Sequence, residues 1–342
     1  MIRPGSDPAA MAEAAERIRA GTLVGFPTET VYGLGADASN DAAVALIFAA
    51  KGRPSDHPLI VHVASASQVT DYASDVPDFA ARLMEAFWPG PLTLILPRRA
   101  GVAAAAAGGQ NSIGLRCPAH PVALALLQAC ATGLAGPSAN RFGRVSPTTA
   151  LHVQEELGGG LMVLDGGPCA VGIESTIVDC TRGQPVLLRP GLLTRAQLEA
   201  ACGQSVLDKD APTTVAAPRA SGTLESHYAP NARVRLMDAQ SLQAALDALN
   251  ANNAAAAAQT SPGPVGVYAR SPLRFNAPTL HRQMPDDAAA AAQQLFAVLR
   301  ELDALGVSQI WAQAPPGAPE WDGVRDRLNR AAADGSTPSG GL

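Results

Sequence analysis

The 342-residue chain lacks the features that mark membrane, disulfide-stabilised and zinc-finger proteins. No stretch approaches roughly 18 uninterrupted apolar residues, and the start shows no basic segment followed by an apolar one, so we expect neither a membrane span nor a secretory leader. The five cysteines are an odd number without a C-x-x-C pair, which argues against a disulfide framework and a zinc site. We therefore expect a cytoplasmic protein with reduced, mostly buried thiols and no metal ligands of its own.

Charged and aromatic residues are also scarce. They make up 16% and 4% of the chain against 47% hydrophobic residues, a balance that fits a globular protein with a sizeable core and excludes disordered and fibrous classes. The formal net charge of −5 argues against a protein that holds nucleic acid by neutralising phosphates over its whole surface. Only Lys51 and Lys209 are lysines among 25 basic residues, so each is a candidate for a role that needs a compact ammonium group.

The first part of the chain, residues 1–205, has the pattern of an α/β domain with a mixed sheet. Short β-rich runs bounded by Gly and Pro predict strands at 23–26, 59–63, 92–96, 113–116, 161–164, 176–179 and 186–189. Helices are predicted in the N-terminal segment and over 41–50, 121–132 and 148–157.

A linker and a smaller domain follow. Residues 206–232 lack periodicity and are rich in Pro, Ala, Ser and Thr, which indicates a linker. Beyond it, strands near 233–236, 265–269 and 308–312 alternate with helices near 239–250, 286–304 and 321–333. This order predicts a Rossmann-like parallel α/β domain over 233–342, with a solvated loop at 251–264 and a disordered C-terminal tail.

Gly33 to Ala38 match G-x-G-x-x-A, the dinucleotide-binding fingerprint, but the context is wrong. Residues 27–30 separate the motif from the preceding strand, and the helix cap comes later, at Ser39 or Asn40. The chain has no G-x-x-x-x-G-K-[ST], H-E-x-x-H or G-x-S-x-G motif, so common NTPase, zinc-protease and hydrolase functions lose their main support.

Polar residues at segment ends are better candidates for a ligand site. Lys51-Gly52-Arg53 puts two cations where a predicted helix ends, which suits phosphate oxygens; alternatively, Lys51 offsets the helix dipole and Arg53 is solvated. Arg116 ends a strand and is suited to pairing with a ligand carboxylate. His62 is either a core histidine or lines a cleft. Open α/β sheets bind ligands at such strand ends.

Eight segments of the chain together resemble the YrdC-like domain of threonylcarbamoyl-AMP synthases, in the family's order and over nearly all of residues 12–200. They are FPTETVYGLGADA (26–38), KGRP with PLIVH (51–62), FWPGPLTLIL (87–96), GLRCPAHP (114–121), PSAN (137–140), SPTTA (146–150), GIESTIVD (172–179) and LLRPG (187–191). The linker's HYAP (227–230) and the region after it resemble the C-terminal domain of the family's long form. The resemblance implies a twisted mixed sheet with flanking helices in the first domain.

The resemblance also implies an activity. Family members join L-threonine, bicarbonate and ATP into threonylcarbamoyl-adenylate, release pyrophosphate, and so supply threonylcarbamoyladenosine formation in tRNA through a downstream transferase. Magnesium would accompany ATP, held mainly by phosphates and water. By resemblance, the linker would pass over the ATP site and act as a lid on it.

The implied site residues follow from the motifs. The ATP contacts would be Lys51, Arg53, His57, Ser112, Ser138, Asn140, Ser146, Arg189 and His227, with Lys51 and Arg53 as the catalytic residues. The threonine contacts would be Thr30, His62, Arg116, the backbone at Gly136, and Ser175. The chain departs from the family at His57, where a smaller polar residue is common, and in the linker, where residues 221–224 read Ser-Gly-Thr-Leu instead of the more usual Ser-Pro-Gly-Met.

Two other functions remain open from the sequence. An RNA-binding module of the same fold is possible in principle, but the net acidity and the shortage of aromatics for base stacking weigh against it. Carbamoyl transfer from carbamoyl phosphate is assisted by related domains within larger hydrogenase-maturation proteins. Those proteins carry zinc-finger cysteines, and this chain has no such set.

Overall fold

The computed structural model describes residues 1–211, 217–222, 227–255, 264–275 and 279–333. They divide into two units, one of Met1–Phe142 and Ser146–Thr223 and one of Gly143–Val145 and Leu224–Leu342. In this part of the chain no helix is long and apolar enough to cross a membrane. The predicted disordered tail falls largely at 334–342, outside the described residues.

The first unit is built on an 11-stranded mixed sheet. Its strands are β1 (Ile2–Pro4), β2 (Val24–Phe26), β3 (Gly33–Asp37), β4 (Ile60–His62), β5 (Leu92–Pro97), β6 (Ser112–Arg116), β7 (Leu134–Ala135), β8 (Met162–Asp165), β9 (Thr176–Asp179), β10 (Val186–Arg189) and β11 (Leu207–Asp208). Their order across the sheet is β1-β8-β2-β3-β7-β4-β6-β5-β9-β10-β11. Parallel and antiparallel neighbours alternate irregularly, so the predicted mixed sheet is confirmed.

Helices pack against this sheet. They are α1 (Pro8–Arg19), α2 (Asp41–Lys51), α3 (Val69–Tyr72), α4 (Asp78–Phe87), α5 (Pro121–Cys130), α6 (Ala150–Leu157) and α7 (Arg195–Cys202). The Asn40 side chain caps α2 by accepting from the Ala43 N–H, and Gly52 ends it in the left-handed region at φ 61°. One apolar cluster joins α1 and α5 to Phe26, and a larger one includes Ile47 of α2 and Leu83 of α4.

Two segments of this unit form strands that the sequence pattern does not predict. The N-terminal segment begins with a strand, β1, which pairs with β8 before α1 starts. The G-x-G-x-x-A motif forms strand β3 rather than a phosphate loop. A Cβ added at Gly33 would lie 2.8 Å from the Phe26 ring, so this glycine allows β3 to pack closely against Phe26 of β2.

The second unit contains a four-stranded, all-parallel sheet in the order β12-β15-β13-β14. Its strands are β12 (Arg233–Met237), β13 (Val265–Ala269), β14 (Thr279–Gln283) and β15 (Gln309–Gln313), and its helices are α8 (Ala239–Ala255), α9 (Ala288–Ala304) and α10 (Asp322–Ala332). The predicted parallel α/β fold is confirmed, and β14 is an additional strand. Helix α8 extends into the predicted loop at 251–264, of which 256–263 lie outside the described residues.

Several polar residues at strand ends lie along one edge of the large sheet. Strands β4 and β6 run parallel, with His62 opposite Arg116 at their carboxyl ends. Because β5 is antiparallel to β6 and parallel to β9, Ser175, which precedes β9, lies at the same edge. Strand β10 runs antiparallel to β9 and ends there at Arg189. This topology places residues far apart in sequence around one site.

Candidate active site

Lys51 clamps the loop that carries Ser138 and Asn140. Its side chain is 3% exposed, and Nζ donates to the main-chain oxygens of Ser138 at 2.6 Å and Asn140 at 2.5 Å. Burial, and then the neighbouring charge of Arg53, lower the pKa of Lys51 well below its ordinary value, while the Glu174 carboxylate opposes them. Lys51 therefore lies in the last turn of its own helix and also binds the carbonyls of a distant loop.

The loop at residues 137–140 is itself held along the start of β3. The Leu34 N–H donates to the Pro137 carbonyl at 2.8 Å, and the Ala139 N–H donates to the Tyr32 carbonyl at 2.9 Å. The K-x-R and S-x-N motifs thus form one structural unit, with two motif carbonyls bound to one ammonium group. The Ser138 hydroxyl is half-buried beside it.

Arg53 lies beside residues 217–222, which we call the strap. Its Nη2 donates to the Pro58 carbonyl at 2.9 Å and to the Ser221 Oγ at 3.4 Å, so the interpretation of Arg53 as fully solvated is wrong. The Arg53 guanidinium lies 5.9 Å from the centroid of the Phe142 ring, and the His57 ring lies 5.4 Å from the same ring. Burial and the charge of Arg53 lower the pKa of His57, which keeps this imidazole neutral near pH 7.

Arg116 is bound on three sides. It is 3% exposed, and it donates to the Gly90 carbonyl at 3.2 Å, the Thr30 Oγ1 at 2.8 Å and the Glu29 Oε1 at 2.6 Å. The structure therefore brings Arg116 and Thr30, two predicted threonine contacts, into direct contact. Of the five guanidinium N–H groups, these bonds use three, so two are left for a ligand.

His62 and Gly136 form a second wall of this pocket. The His62 ring packs edge-on against Phe26 at 5.7 Å between centroids. A Cβ at Gly136 would lie 2.8 Å from the His62 Nδ1, so only glycine allows this approach. Burial, and then the charge of Arg116, lower the pKa of His62 to about 3, which keeps the ring neutral over the physiological pH range.

Ser175 and Arg189 connect the pocket to the strap. The Arg189 Nε donates to the Ser175 carbonyl at 3.0 Å and Nη2 to the Ser175 Oγ at 3.2 Å. Its Nη1 donates to the Ser221 carbonyl in the strap at 2.9 Å. The Ser175 hydroxyl also shares a hydrogen bond of 2.8 Å with the Thr93 hydroxyl. Arg189, a predicted ATP contact, therefore holds a predicted threonine contact.

The remaining predicted ATP contacts are dispersed. The Ser146 hydroxyl donates to the buried Glu174 Oε1, and the Asn140 side chain donates to the Arg141 carbonyl at 2.7 Å. Ser112 lines a small cleft between the sheet and the strap. The other lining residues are Pro58, Leu59, Ile60, Thr93, Ile95, Gln110, Gly114, Ile177, Arg219, Ala220 and Ser221.

His227 belongs to the second unit, so its predicted contact with ATP stays a prediction. Its backbone N–H donates to the Arg330 carbonyl at 3.3 Å, and its ring packs edge-on against Tyr228 at 4.1 Å. Tyr228 has φ 63°, an unusual conformation for a bulky residue.

Four residues that are not among the predicted site residues bind members of that set: Glu29, Thr93, Glu174 and Ser221. Glu29 and Glu174 directly precede the predicted residues Thr30 and Ser175, and this adjacency is the only signal that the sequence offers. Within the described residues, no group of three or more His, Cys, Asp or Glu side chains is arranged to hold a metal ion.

Comparisons with known proteins agree across both units. A family model described as "Telomere recombination" matches residues 16–191, and one described as "Threonylcarbamoyl-AMP synthase, C-terminal domain" matches residues 193–333. A threonylcarbamoyl-AMP synthase of Bacillus subtilis is 38% identical over 94% of this chain and 92% of its own length. One from Pyrococcus abyssi is 38% identical over 93% of this chain and 92% of its own length.

A solved structure has the same architecture. The crystal structure of P. abyssi Sua5 complexed with L-threonine is 37% identical, covers 94% of each chain and superposes with a TM-score of 0.84. These similarities confirm the predicted fold and enzyme class and do not support the RNA-binding alternative. The chain therefore belongs to the threonylcarbamoyl-AMP synthase family.

Proposed function

We propose that this protein joins L-threonine, bicarbonate and ATP into threonylcarbamoyl-adenylate, releases pyrophosphate, and so supplies a downstream transferase that modifies tRNA. One observation carries the proposal. Arg189 links a pocket suited to an amino acid, at Ser175, to the strap, whose Ser221 contacts Arg53, one of the two K-x-R cations. An amino-acid pocket and a phosphate-binding cluster would thus lie side by side in the first unit.

The amino-acid pocket would hold L-threonine. Two guanidinium N–H groups of Arg116 remain for the carboxylate. The Thr30 Oγ1, the His62 Nδ1 and the Ser175 Oγ would supply further hydrogen-bonding atoms. The threonine ammonium group would first lose a proton, and the neutral amine would then attack the carbon of bicarbonate, forming the carbamate N–C bond with loss of water.

The cation cluster would hold ATP. A carbamate oxygen would then attack the α-phosphorus, a P–O bond would form, and the bond to the bridging oxygen would break to release pyrophosphate. Lys51 and Arg53 would offset the charge passing to pyrophosphate, and Ser138, Asn140, Ser146 and Arg189 would orient the nucleotide. The reaction needs no covalent intermediate on the enzyme.

Magnesium would enter with the ATP phosphates. In the part of the chain that the structure describes, no cluster of three or more His, Cys, Asp or Glu side chains can bind an ion alone, so phosphate oxygens and water would supply most ligands. Bound magnesium would neutralise phosphate charge. Lys51 would keep its two carbonyl contacts and direct its remaining N–H to the nucleotide.

The strap would cover the reacting groups. It is held to the first unit by Arg219, which pairs with Asp56 at 2.9 Å, and by Ser221, whose hydroxyl donates to the Pro58 carbonyl at 2.7 Å. Surface contacts of this kind are weak enough to break when ligands enter and leave. A closed strap would exclude water from a labile adenylate.

Pyrophosphate release tests the proposed function. The full chain is incubated with ATP, L-threonine and bicarbonate, and each is omitted in turn. We expect release only with all three, because neither half of the site is productive alone. Equal release without threonine or without bicarbonate would show that the protein hydrolyses or transfers nucleotide by another route.

A further inference from the structure

Strand β12 lies at one edge of the four-stranded sheet in the second unit, next to β15. The Arg233 N–H donates to the Ser308 carbonyl at 3.1 Å, so the main-chain groups of Arg233 point toward β15. Because main-chain groups alternate along a strand, those of Val234 and Leu236 point away from β15. No described residue forms a hydrogen bond with them. Strand β12 therefore presents an open edge with N–H donors and carbonyl acceptors.

An open groove runs along this edge, between β12 and the last turn of α10. It is lined by residues 233–236 on one side and by Asn329, Ala332 and Ala333 on the other. No Asp or Glu of the described part of the chain is among the lining residues, which include Arg233 and Arg235. The groove thus combines an open main chain with positive charge.

The two arginines have the spacing of alternate residues in a strand. Both are exposed, whereas Val234 between them points to the other face and is 4% exposed. Residues at i and i+2 share a face and lie about 6.6 to 6.8 Å apart along the strand. An extended segment lying along the edge presents its own alternate side chains at the same spacing. Two acidic residues separated by one position would therefore face the two guanidinium groups.

A second copy of this chain does not suit the same edge. In a two-fold antiparallel pair that keeps Val234 on the covered face, Arg233 lies opposite Arg235 of the other copy. Like charges directly opposite each other destabilise strand pairing. Residues 334–342, which follow Ala333, include three Gly and one Pro, a composition that disfavours strand pairing. The charge and the composition thus favour a different, acidic partner.

We propose that the open edge of β12 docks an acidic, extended segment of another protein, which adds a strand and pairs its carboxylates with Arg233 and Arg235. Main-chain hydrogen bonds to Val234 and Leu236 would provide affinity, and the ion pairs would provide specificity. Single-stranded RNA suits the groove less well, because no aromatic side chain among the described lining residues can stack on bases. This docking goes beyond the proposed function and uses none of its site residues.

The first test measures binding of a fluorescein-labelled, nine-residue peptide in which Glu alternates with Val and Thr. Fluorescence anisotropy on the full chain gives its dissociation constant and that of a peptide with Lys in place of each Glu. We expect the Glu peptide to bind about 10-fold more tightly or better, and Arg235→Glu to weaken its binding by about 10-fold or more. The control Arg274→Glu reverses the charge of another exposed arginine in this unit and should leave the affinity unchanged.

The second test locates the peptide by amide hydrogen exchange, followed by NMR on the deuterated, ¹⁵N-labelled full chain. In the free chain, the Val234 and Leu236 N–H groups should exchange much faster than that of Arg235, which faces β15. At a peptide concentration about 10 times the dissociation constant, both should exchange about 10-fold more slowly.

Leu236→Pro removes one outward N–H and leaves the hydrogen bonds to β15 in place, because proline is tolerated where the N–H of an edge strand faces solvent. It should weaken binding of the Glu peptide several-fold. Thermal unfolding identifies a variant that does not fold, and Arg235→Glu then decides.

Three results would overturn the inference. The first is equal binding, or no binding, of the Glu and Lys peptides. The second is slow exchange at Val234 and Leu236 in the free chain, which would show that its own residues or a second copy already cover the edge. The third is displacement of the labelled peptide by oligouridine at lower concentrations than by unlabelled Glu peptide. A chain that docks the peptide but releases no pyrophosphate would contradict only the proposed reaction.

Discussion

Lys51 combines a structural role with a proposed catalytic one, because its ammonium satisfies two buried carbonyls. Lys51→Ala should lower the free energy of unfolding by about 1 to 3 kcal/mol, the cost of leaving buried acceptors unpaired. It should also reduce pyrophosphate release by about 100-fold or more. Chemical denaturation and the pyrophosphate assay on one preparation measure both effects. Lys209, the only other lysine, is exposed, so Lys209→Ala should change neither the free energy of unfolding nor the rate of pyrophosphate release.

His62 should make the protein less stable in mild acid. Its pKa is about 3 in the folded protein and near 6.5 when unfolded, so the unfolded chain binds a proton first as the pH falls. The contribution of the neutral His62 ring to the free energy of unfolding is fully present above pH 6.5 and is lost as the pH falls toward 3. At pH 4.5 the loss is about 2 to 3 kcal/mol. Denaturation curves between pH 7 and 4.5 measure this loss. His62→Gln should flatten the dependence more than His57→Gln, and equal slopes in both variants would contradict the assignment.

At the scale of elements, the close approach of β7 and β4 depends on Gly136. A Cβ there would lie 2.8 Å from the His62 Nδ1 and 2.9 Å from the Phe26 ring. Gly136→Ala should therefore cost about 1 to 3 kcal/mol of stability and weaken threonine binding. Gly160→Ala is the matched control, because no atom lies within 4 Å of its added Cβ. Chemical denaturation measures the free energy of unfolding of both variants, and calorimetry measures their affinity for threonine. An unchanged threonine affinity in Gly136→Ala would show that Gly136 does not line the pocket.

Elements with long apolar runs could be predicted from the sequence, and those without them could not. Strands β5, β9 and β13 follow continuous β-rich runs, whereas β3 consists of GLGAD and lacks β-branched residues. Strand β7 has two residues, and β14 is polar and half-exposed. Local pattern does not predict such strands, because pairing with neighbours forms them.

In the candidate site, too, the contacts between residues far apart in the chain could not be predicted from the sequence. Motif resemblance identified Arg116 and Thr30. It did not identify Glu29, whose carboxylate binds Arg116 although the two residues are 87 positions apart in the chain. Likewise, Ser175 meets Thr93 across 82 residues. Contacts of this kind depend on strand order, which the sequence does not display.

For the whole molecule, the chain beyond the first sheet should be needed for synthesis but not for threonine binding. Strand β11 pairs with β10, so a fragment should keep residues through 211 rather than end at 205. This fragment loses the strap, and with it the Ser221 contacts of Arg53 and Arg189. It should bind threonine yet lose most pyrophosphate release, and a fragment ending at Pro230 should be intermediate. Full synthesis by the shorter fragment would refute the lid role of the linker.

The most direct test of the account follows the labelled carbon and oxygen of bicarbonate into the product. The full chain is supplied with ¹³C,¹⁸O-bicarbonate, unlabelled threonine and ATP, and the quenched mixture is analysed by mass spectrometry. If a threonine carbamate attacks the α-phosphorus, the adenylate carries the ¹³C and retains ¹⁸O in the bond to phosphorus. An adenylate without ¹³C, or AMP formed with oxygen from water alone, would contradict the central claim that one site joins these three substrates.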